Sequence, residues 1–292
     1  MKFGQTDHTG NIPLQLPDDH PRTRQILAQA DHNQPLDVCV GCAKWNRTDL
    51  KNFYPKGVKD ELSYYATQFN SIELNATFYG MFSGEQVEAW KDKTPANFRF
   101  FPKINRSVSH MRRLLNIDEL LTAYCDNISR FEEQLGMVFL QLHENFGYKN
   151  FERLQHFAEV FPAAIPLAVE VRHPEWFSTP AYADRLAQLL EQRHATNIIV
   201  DTAGRRDMLH MRLTAPYAFI RYVGANDPAE DRKRLDDWLF RLKQWVDAGL
   251  RNIGFFVHQN EEVESPRLAA YFIEKLNGAF GTALKIPQLQ EK

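Results

Sequence analysis

Two short stretches of this chain set carboxylates among apolar residues: Ser71-Ile72-Glu73-Leu74-Asn75 and Ala168-Val169-Glu170-Val171-Arg172-His173. In an extended strand successive side chains alternate between faces, so Glu73 and Asn75 share one side, and Glu170 and Arg172 share another. A charge that faces a closed interior must be paired or wet. Two carboxylates among cationic neighbours take up different pKa values, so that one donates a proton while the other accepts. Glu73 and Glu170 are therefore the candidate acid/base pair, with His173 and His110 as candidate proton carriers. Lys103, Arg172 and Arg221 supply positive charge for an anionic group. Asn75, Tyr79, Gln141, Trp176, Asp201 and Asn260 complete the candidate substrate contacts, Asn75 within its apolar run and the others at or beyond the end of one. Hydrolysis is the default reaction, because water is the reactant that needs no further motif.

These residues can meet only if the elements carrying them converge. Eight apolar runs rich in β-branched and aromatic residues read as strands: 36–43, 71–78, 98–104, 137–142, 166–171, 197–201, 217–223 and 253–258. Helical spacing fills most of the gaps. Ile117, Leu120, Leu121, Tyr124, Cys125, Ile128 and Phe131 recur every three or four residues, as do Phe151, Leu154, Phe157 and Val160, and Leu235, Trp238, Leu239, Leu242, Trp245 and Val246. Ser83 and Ser265-Pro266 read as helix starts. The link between the sixth and seventh runs is only about 15 residues and contains Gly204 and Pro216, so its helix is short or distorted. Near-continuous apolar strands alternating with helices predict a parallel sheet buried on both faces. Eight units predict an α/β fold of the (β/α)8 TIM-barrel type, whose chemistry sits where the strands end. An open doubly wound sheet is disfavoured: Gly41-Cys42-Ala43-Lys44-Trp45 follows the first run where a Gly-x-Gly-x-x-Gly turn would stand.

Residues 1–35, with Pro13, Pro17, Pro21 and Pro35, read as an extended N-terminal arm with one helical turn near Thr23–Ala30, and residues 36–292 as one barrel domain. The 292 residues carry 35 basic and 37 acidic side chains, a formal charge of −2 that disfavours nucleic acid as a partner. The composition is that of a globular chain, 43% hydrophobic and 25% charged. No run is long enough for a signal peptide or a membrane span, and three cysteines make no disulfide framework, so a cytoplasmic protein without a membrane partner is expected. Cys39 and Cys42 spell C-x-x-C, yet in a strand they face opposite sides, so both read as buried thiols. The basic pairs Arg112-Arg113 and Arg205-Arg206, with Lys103, Arg106, Arg172 and Arg221, suggest a positive mouth suited to a polar or anionic small molecule. Any one of these charges alone reads equally well as a structural ion pair. No cofactor is specified. A divalent metal held by Glu73, Glu170, Asp201 and a histidine, in a phosphodiesterase, endonuclease-like or sugar-phosphate enzyme, is an alternative that is not favoured. A non-catalytic ligand- or nucleic-acid-binding barrel is a further one.

The same blocks carry a resemblance. Val40-Gly41-Cys42-Ala43-Lys44-Trp45, Tyr64-Tyr65-Ala66, Phe69-Asn70-Ser71-Ile72-Glu73-Leu74-Asn75-Ala76-Thr77-Phe78-Tyr79, Phe98-Arg99-Phe100-Phe101-Pro102-Lys103, Ser109-His110 and Glu170-Val171-Arg172-His173-Pro174-Glu175-Trp176, followed by Asp201 and Arg221, resemble the YecE-like family, domain of unknown function seventy-two. The resemblance runs from about Val38 to Leu276. It implies a (β/α)8-type barrel and brings no reaction with it. The chain departs from the family at three strand ends: His143 where proline is common, Val223 where many relatives have histidine, and His258-Gln259-Asn260 instead of Asn-Asn. The second departure argues against a mechanism that needs a histidine beside Arg221.

Overall fold

Each apolar run finds its hydrogen-bond partners in another run lying parallel to it, because a helical segment carries the chain back between them. The computed structural model describes Gly4 and residues 12–290. The strands are β1 Asp37–Cys42, β2 Ser71–Leu74, β3 Arg99–Pro102, β4 Val138–Gln141, β5 Leu167–Glu170, β6 Thr196–Asn197, β7 Ile199–Thr202, β8 Tyr217–Val223 and β9 Asn252–His258. The helices are α1 Pro21–Leu27, α2 Glu61–Gln68, α3 Ala76–Tyr79, α4 Gly84–Lys91, α5 Asp118–Ile128, α6 Phe151–Val160, α7 Glu175–Ser178, α8 Pro180–Gln192, α9 Pro228–Asp247 and α10 Ser265–Phe280. The fold is mixed α/β, with parallel ladders in the orders β1-β9-β8-β7, β2-β3 and β4-β5-β6.

Specific contacts join these ladders. The β3 and β4 neighbourhoods touch through backbone bridges at Phe100–Leu135 and Lys103–Phe139. The expected sixth strand is divided at Ile198: β6 pairs with β5, and β7 pairs with β8. Between β1 and β2, side chains replace a ladder. Asn70 donates to Val38 O and accepts from Val40 N–H, and the Tyr65 hydroxyl accepts from Cys42 N–H and donates to Ser71 O. Gly41 permits this approach, since a Cβ there would stand 2.2 Å from the Ser71 carbonyl oxygen.

The expected second strand, 71–78, ends early. Asn75 is helical in φ and ψ, and α3 follows, so Thr77, Phe78 and Tyr79 lie on a helix. The Thr77 hydroxyl bonds both Leu74 O and Lys103 O, which closes the ends of β2 and β3. The link between the sixth and seventh runs is a kinked 3-10 segment, Ala203–Met208, as its short length required. Within the segment expected to be an arm, α1 spans Pro21–Leu27 and buries Thr23, Ile26 and Leu27, and residues 12–20 form no regular element. The arm's residues 1–3 and 5–11 lie outside the described residues.

Alternation sorts the strand side chains into two layers. One face, with Val40, Ile72, Phe100, Leu140, Val169, Ile220 and Phe255, packs against the helices. The other face brings Cys39, Phe101, Phe139, Ala168, Val200, Phe219 and Phe256 into one apolar cluster. Cys39 and Cys42 are accordingly separated, one in each cluster, and burial pushes both thiols well up. Two residues beyond five of the inner side chains stand Lys103, Gln141, Glu170, Arg221 and His258. The inner face thus changes from apolar to polar in one step, at the strands' C-terminal ends.

Candidate active site

Arg221, toward the C-terminal end of β8, organises the polar layer. Its Nε donates to Glu73 Oε2 at 2.8 Å, one terminal nitrogen donates to Glu73 Oε1 at 2.8 Å, and the other donates to Glu170 Oε2 at 2.5 Å and to Gln141 Oε1 at 3.3 Å. Arg172 Nε donates to Glu170 Oε1 at 2.5 Å, and Asn75 Nδ2 donates to Glu73 Oε1 at 2.8 Å. Lys103 Nζ donates to Gln141 Oε1 at 2.9 Å and lies 4.2 Å from the centre of the Phe78 ring. His258 Nε2 stands 2.9 Å from Glu73 Oε2. Asn75 and Phe78 are half-buried and the other side chains are buried; Glu73 and Arg221 are 0% and 2% exposed.

Burial alone would push the Glu73 carboxyl up, but Arg221 and then His258 overcome it and hold it well below the usual range. Burial works against Glu170 in the same way, and Arg172 and Arg221 bring it down to about 2. Both carboxylates are therefore anions at neutral pH. The expected split into an acid and a base does not occur, because a single guanidinium serves both. Burial, then Arg221 and Arg172, push the Lys103 ammonium down to about 7.

Above this layer opens a cavity of about 540 Å³, a size suited to a small molecule. Arg172, Arg221 and His258 line it with Asn75, Tyr79 and Asn260, and Lys44, Asp49, Glu261 and Glu262 complete its polar wall. A carboxylate has no proton to give at neutral pH, so His258 carries its hydrogen on Nε2, toward Glu73. Its Nδ1 stands 3.9 Å from Glu262 Oε1.

The structure thus gathers Glu73, Asn75, Lys103, Gln141, Glu170, Arg172 and Arg221, and sets Tyr79 and Asn260 on the cavity wall. It places four other candidates elsewhere. Asp201 is completely buried on the helix side, where Arg206, Arg234 and Trp238 Nε1 bond it. The register explains this: Val200, not Asp201, is paired with Arg221 and shares its face. Trp176 is also completely buried, and its Nε1 donates to Phe146 O at 2.7 Å, so it is a core residue and not a rim aromatic. His173 has left β5; its Nδ1 accepts the Glu175 N–H and it touches neither carboxylate of the pair. His110 packs its ring 4.8 Å from Phe78, and burial followed by Lys103 drives it down to about 3, so it is neutral and a poor proton carrier. Of the basic pairs, Arg206 turns to Asp201, Arg205 pairs with Asp207, and Arg112 and Arg113 are exposed. Asp201 thereby leaves the alternative metal set of Glu73, Glu170, Asp201 and a histidine. Among the described residues no group of three or more His, Cys, Asp or Glu side chains is arranged to hold a metal ion.

His258 stands at the end of the last apolar run, but spacing alone gives it no acid/base or substrate-binding role. Its signal was the two-residue step from inner-facing Phe256. It also answers the departure at Val223: His258 is the register partner of Val223, and its Nε2 lies 3.5 Å from an Arg221 nitrogen. A histidine does stand beside Arg221, supplied by the adjacent strand.

A family model described as "Protein of unknown function DUF72" matches residues 39–291. UPF0759 protein YecE of Escherichia coli (strain K12) is 29% identical over 275 residues, covering 86% of this chain and 98% of the relative. UPF0759 protein YunF of Bacillus subtilis (strain 168) is 27% identical over 165 residues, covering 51% of this chain and 56% of that one. Among solved structures, a DUF72 family protein from Thermotoga maritima MSB8 superposes with a TM-score of 0.66 at 27% identity, over 82% of this chain and 99% of the other. One from Enterococcus faecalis V583 gives 0.67 at 20% identity, over 83% and 98%, a likeness of fold alone.

Proposed function

The chain belongs to the DUF72 family, and from that premise we propose that it is an enzyme of hydrolase-type acid/base chemistry acting on a polar or anionic small substrate. The observation that carries this reading is the Glu73–His258 pair: the imidazole lines the cavity, is held by a buried anion at Nε2, and has its Nδ1 3.9 Å from Glu262, a second cavity-lining residue. A carboxylate so placed orients a histidine and stabilises its imidazolium. His258 Nδ1 takes the proton of a water as the water oxygen bonds to the electrophilic centre, and returns that proton to the leaving group. Glu73 stays ionised throughout, secured by Arg221. Arg172 and Arg221 draw an anionic part of the substrate to the floor of the cavity. Glu170 holds the two guanidiniums together.

The reading includes the closed (β/α)8 ring over residues 36–292, with an arm before it. The junctions at β1–β2, β3–β4 and β6–β7 support it, since each joins neighbours in chain order. It also includes a cytoplasmic location, which suits three free, buried cysteines. Among the described residues no helix is long and apolar enough to cross a membrane.

The test is a screen of the full chain against chromogenic esters, phosphodiesters and glycosides, followed by His258→Gln. The variant should lose about 10²–10⁴-fold in kcat while its thermal unfolding is unchanged. Full turnover in His258→Gln rules out this proton carrier.

A further inference from the structure

Among the described residues, Lys103 is a buried ammonium with no carboxylate in contact. Every carboxylate oxygen of the polar layer is bonded by another group: Glu73 Oε1 by Asn75 and Arg221, Glu73 Oε2 by Arg221 and His258, Glu170 Oε1 by Arg172, and Glu170 Oε2 by Arg221. What remains for Lys103 is the neutral oxygen of Gln141 and the face of Phe78, at 1% exposure. A buried charge in that position is costly unless its counter-charge arrives from elsewhere. The route for one is visible. Lys103 Nζ and an Arg221 nitrogen share the Gln141 oxygen, at 2.9 and 3.3 Å, and Arg221 lines the cavity.

We propose that the cavity receives its substrate through one singly charged oxyanion group seated against Arg221 and Arg172, and that its arrival is coupled to uptake of a proton by Lys103, whose missing counter-charge it supplies. This rests on the cavity being the substrate site, and it names the charge of the substrate and the group that responds to it. The groups facing Lys103 are accounted for. Glu73 from β2 and Glu170 from β5 favour its charge, and both are bonded to the guanidiniums. Arg221 from β8 and Arg172 after β5 oppose it. His110 after β3 is neutral, and its own ring lies 5.1 Å from that of His143 after β4. Burial and the two arginines leave the ammonium near neutrality, at about 7, so a small field from a bound anion is enough to change its protonation. An anion on Arg221 lies within the distance over which charges interact appreciably in a protein interior.

The experiment is calorimetric titration of the full chain at pH 8, in two buffers of different ionisation heat, with dimethyl phosphate, acetate and uncharged trimethyl phosphate. Both anions should bind and the neutral ester should not. Binding should draw about half to one proton from the buffer, and affinity should fall by up to about tenfold per pH unit above pH 7. Lys103→Met should keep its fold, since it removes a buried charge and preserves the stem, and should bind the anions more weakly with no proton uptake. Lys103→Arg should bind them with no pH dependence. Anion binding by the parent chain without proton uptake, or equal uptake by Lys103→Met, overturns the coupling and leaves the proposed function standing. Absence of binding by both anions, or equal binding of the neutral ester, overturns the coupling and the anion-binding part of that function together.

Discussion

Replacing Glu170 by Gln keeps the shape of the side chain and removes its charge. Glu170 is 1% exposed, with one oxygen on Arg172 and the other on Arg221. Burial raises its carboxyl, and the two guanidiniums more than reverse this, taking it from the ordinary 4.5 down to about 2. A carboxyl lower in the folded than in the unfolded chain stabilises the fold above pH 4.5, and that stabilisation is lost as pH falls from 4.5 toward 2. At about 1.4 kcal/mol per pH unit, it is worth about 3 kcal/mol. Breaking a buried pair by removing one partner costs about 3–5 kcal/mol, a loss of the same size. Urea unfolding of both proteins at pH 7, 5, 4 and 3 reads the difference. The gap should be about 3 kcal/mol at pH 7 and 5, narrow below pH 4.5, and close toward pH 2, where the protonated parent resembles the amide. Glu73 titrates in both proteins and drops out of the comparison. A gap that stays constant from pH 7 to 3, or one below about 1 kcal/mol at pH 7, refutes the reasoning.

Two further outcomes test the frame around the site. Tyr65→Phe removes the hydroxyl that bridges Cys42 N–H and Ser71 O, so urea unfolding should show a loss of about 1–3 kcal/mol without a change in slope. Asp201→Asn strips the charge from between Arg206 and Arg234 and should cost about 3–5 kcal/mol in stability, while dimethyl phosphate affinity stays within about twofold of the parent's. A larger loss of affinity would return Asp201 to the binding site.

Much of the strand framework is legible in residue order, because strands and helices bury their apolar faces with different periods. Phe101 and Lys103, Phe139 and Gln141, and Phe219 and Arg221 each show the change from apolar to polar two residues apart. The errors have a common source. Near a strand end, one residue decides which face a side chain takes: Asp201 and Val200 differ by a single step and lie on opposite layers. Trp176 is core and not rim because Tyr148 and Phe146 pack over it, which its position just past a strand end does not reveal. Asn75 reaches Glu73 as expected, but from the start of a helix and not along a strand.

By itself the sequence determined the order of strands and helices, the two-residue rhythm that separates the layers, and the set of charged residues at the strand ends. These follow from local spacing and from the cost of burying charge. Only the tertiary structure decided which charges meet. Arg221 lies 148 positions from Glu73 in the chain and bonds both of its oxygens, and that contact sets the protonation of the carboxylates. The lone ammonium of Lys103 and the place of His258 beside Arg221 depend on the same register between strands. A pKa is a sum over neighbours in space, and no spacing along the chain contains those distances.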